Sequence, residues 1–419
     1  MELVAEALRA PVPKKGIDVS TEERENGPKR HRSRRGGNRR RRPDGNKPSA
    51  PPREGAGRVD IPAVRPMPTD GNIYAAIDLG TNNCRLLVAR PAPGGFEVID
   101  AFSRTVGLGE ELTATGALSD KSMERAISAL KICAGKIERD GATHVRAIAT
   151  EACRLAQNGP SFVARVKEET GIDFDIITTG EEAALAAAGC AALADPACEN
   201  VLVFDIGGGS TELVWLDLCE RCDETGQPRI VAWTSLPCGV VTLTDKFELS
   251  DERFDEECIG VELYQEMVDY VRSRLRASGA YELFGKRDDE TPAHLLGTSG
   301  TVTTVAGIAL GLKKYDRNKV DGTWLHLDLV QQVSLRVAKM SRGARSRHPC
   351  IGRDRAEFIV AGCAILEAIR DLWPSDRLRV ADRGLREGIL IRLMAEAGDS
   401  ELARERVLGL NIPVAGPRS

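Results

Sequence analysis

Asp205 to Leu213 reads DIGGGSTEL and follows the apolar run VLVF. Three glycines after an aspartate need a reason, because glycine loses more conformational entropy on folding than any other residue. Either the backbone turns there in a way that no side chain permits, or something comes close to it. A second stretch bears on the choice. Tyr74 to Asn82 reads YAAIDLGTN, and Val203 to Thr211 reads VFDIGGGST. Each has apolar strand residues, an Asp at the strand end, a glycine turn, and hydroxyl or amide residues leading into another strand. One such turn is commonplace. Two, with their aspartates 127 residues apart and each opening its own run of elements, indicate an internal duplication.

The elements around these turns alternate. NIYAAID, CRLLVAR and GFEVIDAF read as successive strands, and Leu118 to Asp140 repeats apolar residues at helical spacing. THVRAIAT is then a strand, PSFVARVKEETG a helix stopped by Gly171, FDIITT a strand, and Glu181 to Leu193 an alanine-rich helix. VLVFDI begins the second cycle. Such alternation predicts an α/β fold. A third glycine-hydroxyl stretch, LLGTSGTVTTVAG from Leu295 to Gly307, again follows apolar residues and runs into a helix-like segment. Backbone N–H groups in such turns converge on anions, and a helix N-terminus adds a favourable dipole. Three of them would surround a chain of phosphates, so the glycines of DIGGGST read as room for phosphate to approach the backbone.

Composition narrows the class. The 419 residues are 42% hydrophobic, enough for two or more domains. No apolar run approaches the length of a membrane span, and the N-terminus lacks the apolar core of a secretion signal. Eleven scattered cysteines suit a reducing cytoplasm better than a disulfide framework, and Cys219 and Cys222 read as ordinary thiols in a hairpin loop. Residues 1–70 are rich in Pro, Gly and Arg without periodicity, the composition of a disordered arm. Within it, Gly27 to Arg42 carries nine Lys or Arg and no acid, which leaves −13 on the rest of a chain whose total is −4. A basic arm on an acidic body suggests attraction to RNA or another polyanion, or else a solubilising tail.

The segments IDLGTNNCRLL, AIATEACRLAQN, ITTGEEAALA, VFDIGGGSTELV, LLGTSGTVTTVAG, RAEFIVAG and ADRGLREGIL, in this order, resemble the exopolyphosphatase and guanosine pentaphosphate phosphatase (Ppx/GppA) family. The resemblance spans residues from about 73 to 392. It implies two duplicated actin-like (ribonuclease H-like) domains with a cleft between them, preceded by the basic arm. The expected limits are 71–195 for the first domain and 196–419 for the second, with C-terminal helices returning to the first. Three departures stand out. Thr81-Asn82-Asn83 replaces the family's Ser-Asn-Ser, Ala184 stands where an Arg is common, and the further all-helical domain of longer members is not expected.

Hydrolysis of a phosphoanhydride needs an attacking water, a base beside it and compensation for charge on the transferred phosphoryl group. Glu151, just after a strand in ATEACR, is where the resemblance puts the catalytic glutamate; the plainer alternative is an acid at a helix N-terminus. Glu182 would be a second catalytic acid or a helix cap. Asp78 and Asp205 end the duplicated strands and are expected to hold Mg²⁺. Gly80, Thr81, Asn82, Gly207, Gly208, Gly209, Ser210 and Thr211 would form the phosphate cradle, with Arg85, Arg104 and Arg355 contacting substrate. The expected substrate is linear polyphosphate, a long polyanion that a basic arm suits, with guanosine pentaphosphate as the alternative, no membrane partner and a homodimer left open. A kinase on the same fold and a non-catalytic sensor tethered to RNA are the competing readings.

Overall fold

The computed structural model of the chain describes residues 71–93, 95–218, 229–284 and 293–399. The basic arm, together with Cys219 and Cys222, lies outside the described residues. No described helix is long and apolar enough to cross a membrane.

Two sheets organise the fold. In the first, β1 (Tyr74–Leu79), β2 (Asn83–Ala92), β3 (Gly95–Thr105), β4 (His144–Ala149) and β5 (Phe174–Ile176) lie in the order β3-β2-β1-β4-β5. The second holds β6 (Asn200–Ile206), β7 (Thr211–Asp217), β8 (Arg229–Leu236), β9 (Ala293–Thr298), β10 (Trp324–His326) and β11 (Arg377–Val380). Its order is β10-β11-β9-β6-β7-β8. Read backwards without β10, it is the first sheet again. In each, three antiparallel strands form a meander in sequence, the first of them pairs in parallel with the next strand, and that strand pairs in parallel with the one after it. β10 is an addition, antiparallel to β11 at the edge. The duplication read from the two D-x-G turns is thus a duplication of sheet topology, the architecture of two actin-like domains.

Strand alternation decides which residues look where. On β1, Ala75, Ile77 and Leu79 join a core under the helices Asp120–Asp140 and Gly159–Thr170, while Tyr74 and Ala76 join another under the helix Leu385–Ala397. Asp78 shares the second face. On β6, Leu202, Phe204 and Ile206 face the large core that includes the helices Val261–Ala277, Ser299–Ala309 and Ile359–Leu372. Val201 and Val203 face the helix Thr179–Cys190, and Asp205 shares their side. The two Asp-bearing faces therefore look toward each other, with only two helices between them.

Those helices are built for close crossing. Ala183, Ala184 and Ala187 pack on the second sheet while Leu185 packs on the first. Gly388 lies against the backbone of Leu185, where an added Cβ would fall 1.9 Å from the carbonyl oxygen. Gly189 likewise meets Gly384, 2.0 Å from its carbonyl oxygen. Small residues bring the sheets near enough for their loops to share one cavity.

Candidate active site

A cavity of about 670 Å³ opens at the strand ends between the two sheets. Each duplicated hairpin is closed the same way. Gly80 N–H donates to the Asn83 carbonyl at 2.9 Å, and Gly207 N–H to the Ser210 carbonyl at 2.9 Å. None of Gly207, Gly208 and Gly209 has a positive φ, so a left-handed turn is not why they are glycines. Close approach is. A Cβ on Gly209 would fall 1.8 Å from Glu151 Oε2, and one on Gly208 would fall 3.1 Å from Thr81 Cβ. The room that sequence assigned to phosphate is taken at Gly209 by a carboxylate of the protein.

The backbone around these glycines is polarised. The carbonyls of Gly207 and Gly208 accept from Val240 and Val241 at the start of the helix Val240–Lys246, at 2.9 and 2.7 Å. The amides of Thr81, Asn82, Gly208 and Gly209 have no acceptor among the described residues. Unpaired amides gathered at one cavity are anion donors. The third glycine-hydroxyl stretch joins them, since Thr298, Ser299, Gly300 and Thr301 line the same cavity at the start of the helix Ser299–Ala309. Ser299 holds φ 97°, a left-handed conformation that costs a side-chain residue free energy, and its buried Oγ has no partner.

Glu151 opens the short helix Glu151–Leu155, directly after β4. Its Oε2 is buried and accepts no hydrogen bond. Burial pushes the carboxyl up to about 7, helped by the charge of Glu212 and opposed by that of Arg154. Glu182 is buried too, and accepts from Arg154 Nη2 at 3.1 Å. Arg154 is held in turn by the Ile177 carbonyl at 2.8 Å. Burial and the Glu212 charge raise the Glu182 carboxyl well above its ordinary range. Glu212 itself is raised by burial, although Ser210 and Ser235 hydroxyls donate to its Oε1 at 2.6 and 2.9 Å and favour its charge.

Asp78 and Asp205 both line the cavity, and neither carboxylate has a hydrogen bond or ion pair among the described residues. Burial raises both; Arg85 and Arg386 oppose the shift at Asp78, while Glu212 adds to that at Asp205, which reaches about 7. Arg85, Arg104 and Arg355 line the cavity as expected. Arg355 is positioned by donating to the Gly300 carbonyl at 3.2 Å and to Thr304 Oγ1 at 2.6 Å. Arg104 lies over the Phe102 ring, 5.4 Å from its centroid.

Of the site residues expected from sequence, all but Thr211 line the cavity. Thr211 is fully buried, and its hydroxyl donates to the Cys238 carbonyl at 2.7 Å, because β7 starts there and turns the side chain into the sheet. Ala184 also lies off the cavity, within an apolar cluster with Val201 and Val214. Glu212, Arg154, Asp382, Arg386 and Glu387 were not foreseen. Glu387 accepts from Arg317 at 2.9 Å and from the Gly384 amide at 2.8 Å, and so fixes the start of the helix Leu385–Ala397, which carries Arg386 into the cavity.

This arrangement, carboxylates beside amide-rich loops in a cleft between duplicated domains, agrees with the comparisons. The family model of the Ppx/GppA phosphatase family matches residues 87–397. The chain belongs to that family. The Ppx/GppA family member of Aquifex aeolicus is similar at 30% identity, over 78% of this chain and 99% of that one, with a TM-score of 0.62. An exopolyphosphatase from Cytophaga hutchinsonii has the same fold, with a TM-score of 0.67 at 24% identity, over 78% of this chain and 98% of that one. The Ppx/GppA match begins inside β2, so the D-L-G-T-N turn that precedes it is placed with the family by its position in the cavity. Membership makes the chain a phosphatase.

Proposed function

We propose that this phosphatase is an exopolyphosphatase, which releases the terminal phosphate of linear polyphosphate by attack of water with Glu151 as general base. The observation that carries the reading is Glu151 Oε2, buried and without a hydrogen-bond partner against the glycine loop, on a carboxyl pushed up to about 7. A base poised near the working pH combines a useful ionised fraction with a strong pull on a proton. Glu182, held by Arg154, would orient the water. The free amides of both loops would hold the phosphoryl oxygens, and Arg85, Arg104 and Arg355 would offset the charge that the transferred group and leaving chain develop.

The donor set at Asp78 and Asp205 fits Mg²⁺. Two carboxylates without a hydrogen bond or ion pair among the described residues face one cavity, and Mg²⁺ binds through one or two carboxylates with water and phosphate oxygens completing its shell. Bound there, it would supply charge neutralisation on the phosphate oxygens. Linear polyphosphate is favoured over guanosine pentaphosphate by the lining: Phe358 is the one aromatic side chain among the described residues around the cavity, so little is offered for a base to stack on.

The test is phosphate release from long-chain polyphosphate and from guanosine pentaphosphate with Mg²⁺, for wild type and Glu151→Gln. Release from polyphosphate, lost in the variant, is expected. Release only from guanosine pentaphosphate would reassign the substrate. Folded protein that releases phosphate from neither would overturn the hydrolase reading and leave a nucleotide or polyphosphate sensor.

A further inference from the structure

Several arginines of this half of the chain have acidic partners: Arg317 pairs with Glu387, Arg342 with Asp255 and Arg383 with Asp321. Two adjoining surface loops carry cations that have none. Lys313 and Lys314 precede the helix Arg317–Val320, and Arg347 and Arg353 flank the turn at Cys350. All four are exposed, and none has a carboxylate partner among the described residues.

The loops are fastened to each other and to the cavity wall. Cys350 Sγ donates to the Leu312 carbonyl at 3.3 Å. A Cβ on Gly307 would lie 3.3 Å from Cys350 Sγ and 3.7 Å from Tyr315 Cδ2, so both loops meet over the same helix. Tyr315 then donates to Asp382 Oδ2 at 2.6 Å, and Asp382 lines the cavity, as do Asp354 and Arg355 just after Arg353. Among the acids nearby, Asp316 is turned to Lys319 at 3.6 Å, and Asp354 sits at the mouth. Exposed cations without carboxylate partners on adjoining loops attract a chain of negative charges.

We infer that Lys313, Lys314, Arg347 and Arg353 form a track for the part of a linear polyphosphate that extends out of the cavity. The inference rests on the exopolyphosphatase reading and deepens it: chain length is sensed on the outer face of the second sheet's domain, apart from the catalytic groups. A short substrate whose phosphates all fit within the cavity does not touch the track.

The experiment compares wild type with the triple variant Lys313→Ala, Lys314→Ala, Arg353→Ala on tripolyphosphate, guanosine pentaphosphate and long-chain polyphosphate. Because the three side chains are exposed, the fold is expected to survive, and an unchanged Tm checks it. KM for the long chain should rise on the order of tenfold, and the slope of log KM against log salt should fall by about 2. KM for the two short substrates and kcat for all three should not change. Equal KM changes for long and short substrates, or none for either, would overturn the track. Direct titration of each protein with long-chain polyphosphate separates the two readings. Track-dependent binding without hydrolysis keeps the track and removes the exopolyphosphatase. Hydrolysis that the triple variant performs with unchanged KM keeps the enzyme and removes the track.

Discussion

Glu212 holds, on the second sheet, the register position that Arg85 holds on the first: Asp205 pairs with Glu212 between β6 and β7 as Asp78 pairs with Arg85 between β1 and β2. The duplicated hairpins are thus alike in backbone and opposite in charge. On one side an aspartate faces a cation. On the other it faces a second acid, and the charge of that acid is felt at Asp205, Glu151 and Glu182 alike.

The first consequence is a pH profile. Glu151 accepts a proton only when ionised, so kcat/KM should rise about tenfold per pH unit on the acid side and level off above about 7. The variant Glu212→Gln removes one of the two causes of that shift, and its midpoint should lie below that of wild type. Phosphate release across pH checks this; an unmoved midpoint would take Glu212 out of the electrostatics of the base.

Stability should follow the same group with a defined sign. The Glu151 carboxyl is raised on folding from its ordinary value near 4.5 to about 7, so between these the folded chain holds a proton that the unfolded chain has lost. Its contribution is greatest below the lower value and disappears as pH rises through the upper one. In metal-free protein, Glu151→Gln should therefore flatten the fall of Tm between mildly acidic and mildly alkaline pH, and at the alkaline end the variant should melt no lower than wild type. A Tm that drops sharply in the variant at every pH would show that the carboxylate is stabilised by a partner.

Mg²⁺ should raise Tm, since a ligand that binds only the folded state stabilises it by mass action. Asp205→Asn is expected to abolish that rise. It should also leave the metal-free protein at least as stable, because it removes a buried charge that has no partner. Thermal melts with and without the ion read both effects independently of catalysis. A full Mg²⁺ response in Asp205→Asn would place the ion elsewhere.

Gly209→Ala should cost on the order of a hundredfold in kcat, because its Cβ would fall 1.8 Å from Glu151 Oε2 and must displace the base. The two positions are coupled. In a Glu151→Ala background the tightest contact is gone and Thr81 Oγ1, 2.9 Å from the added Cβ, is the near neighbour that remains, so the alanine at 209 should change Tm less there than in wild type. Equal changes in both backgrounds, read from a double-mutant cycle, would mean that the contact is not what makes this position glycine.

Much of this was legible because it is local. Period-two strands, the turn chemistry after Asp78 and Asp205, and the stop at Gly171 each follow from a few consecutive residues, and the two aspartates end their strands as read. Glu212 lies inside the opening stretch, and an acid at the start of an apolar run, LVWL, is the signal that marks it; that it stands across from Asp205 follows only from the strand register. The pairing of Arg154 with Glu182, and the entry of Arg386 and Asp382, depend on how distant segments cross, which no local pattern encodes. The φ of Ser299 is likewise set by its surroundings. For the glycines, close approach was the right alternative, while the group that approaches Gly209 is supplied from another loop, 58 positions earlier.

The helix Leu385–Ala397 covers one face of a sheet whose strands all lie before residue 177. Synthesis therefore delivers the whole second sheet before the first can be sealed. Until then Tyr74, Ala76, Leu87 and Ile148 stay open to solvent or to a chaperone, and the nascent first half is a half-finished layer waiting for its lid. The docking of Gly388 on Leu185 joins the end of the described chain to its first half, and the helix that makes this contact also brings Arg386 to the cavity.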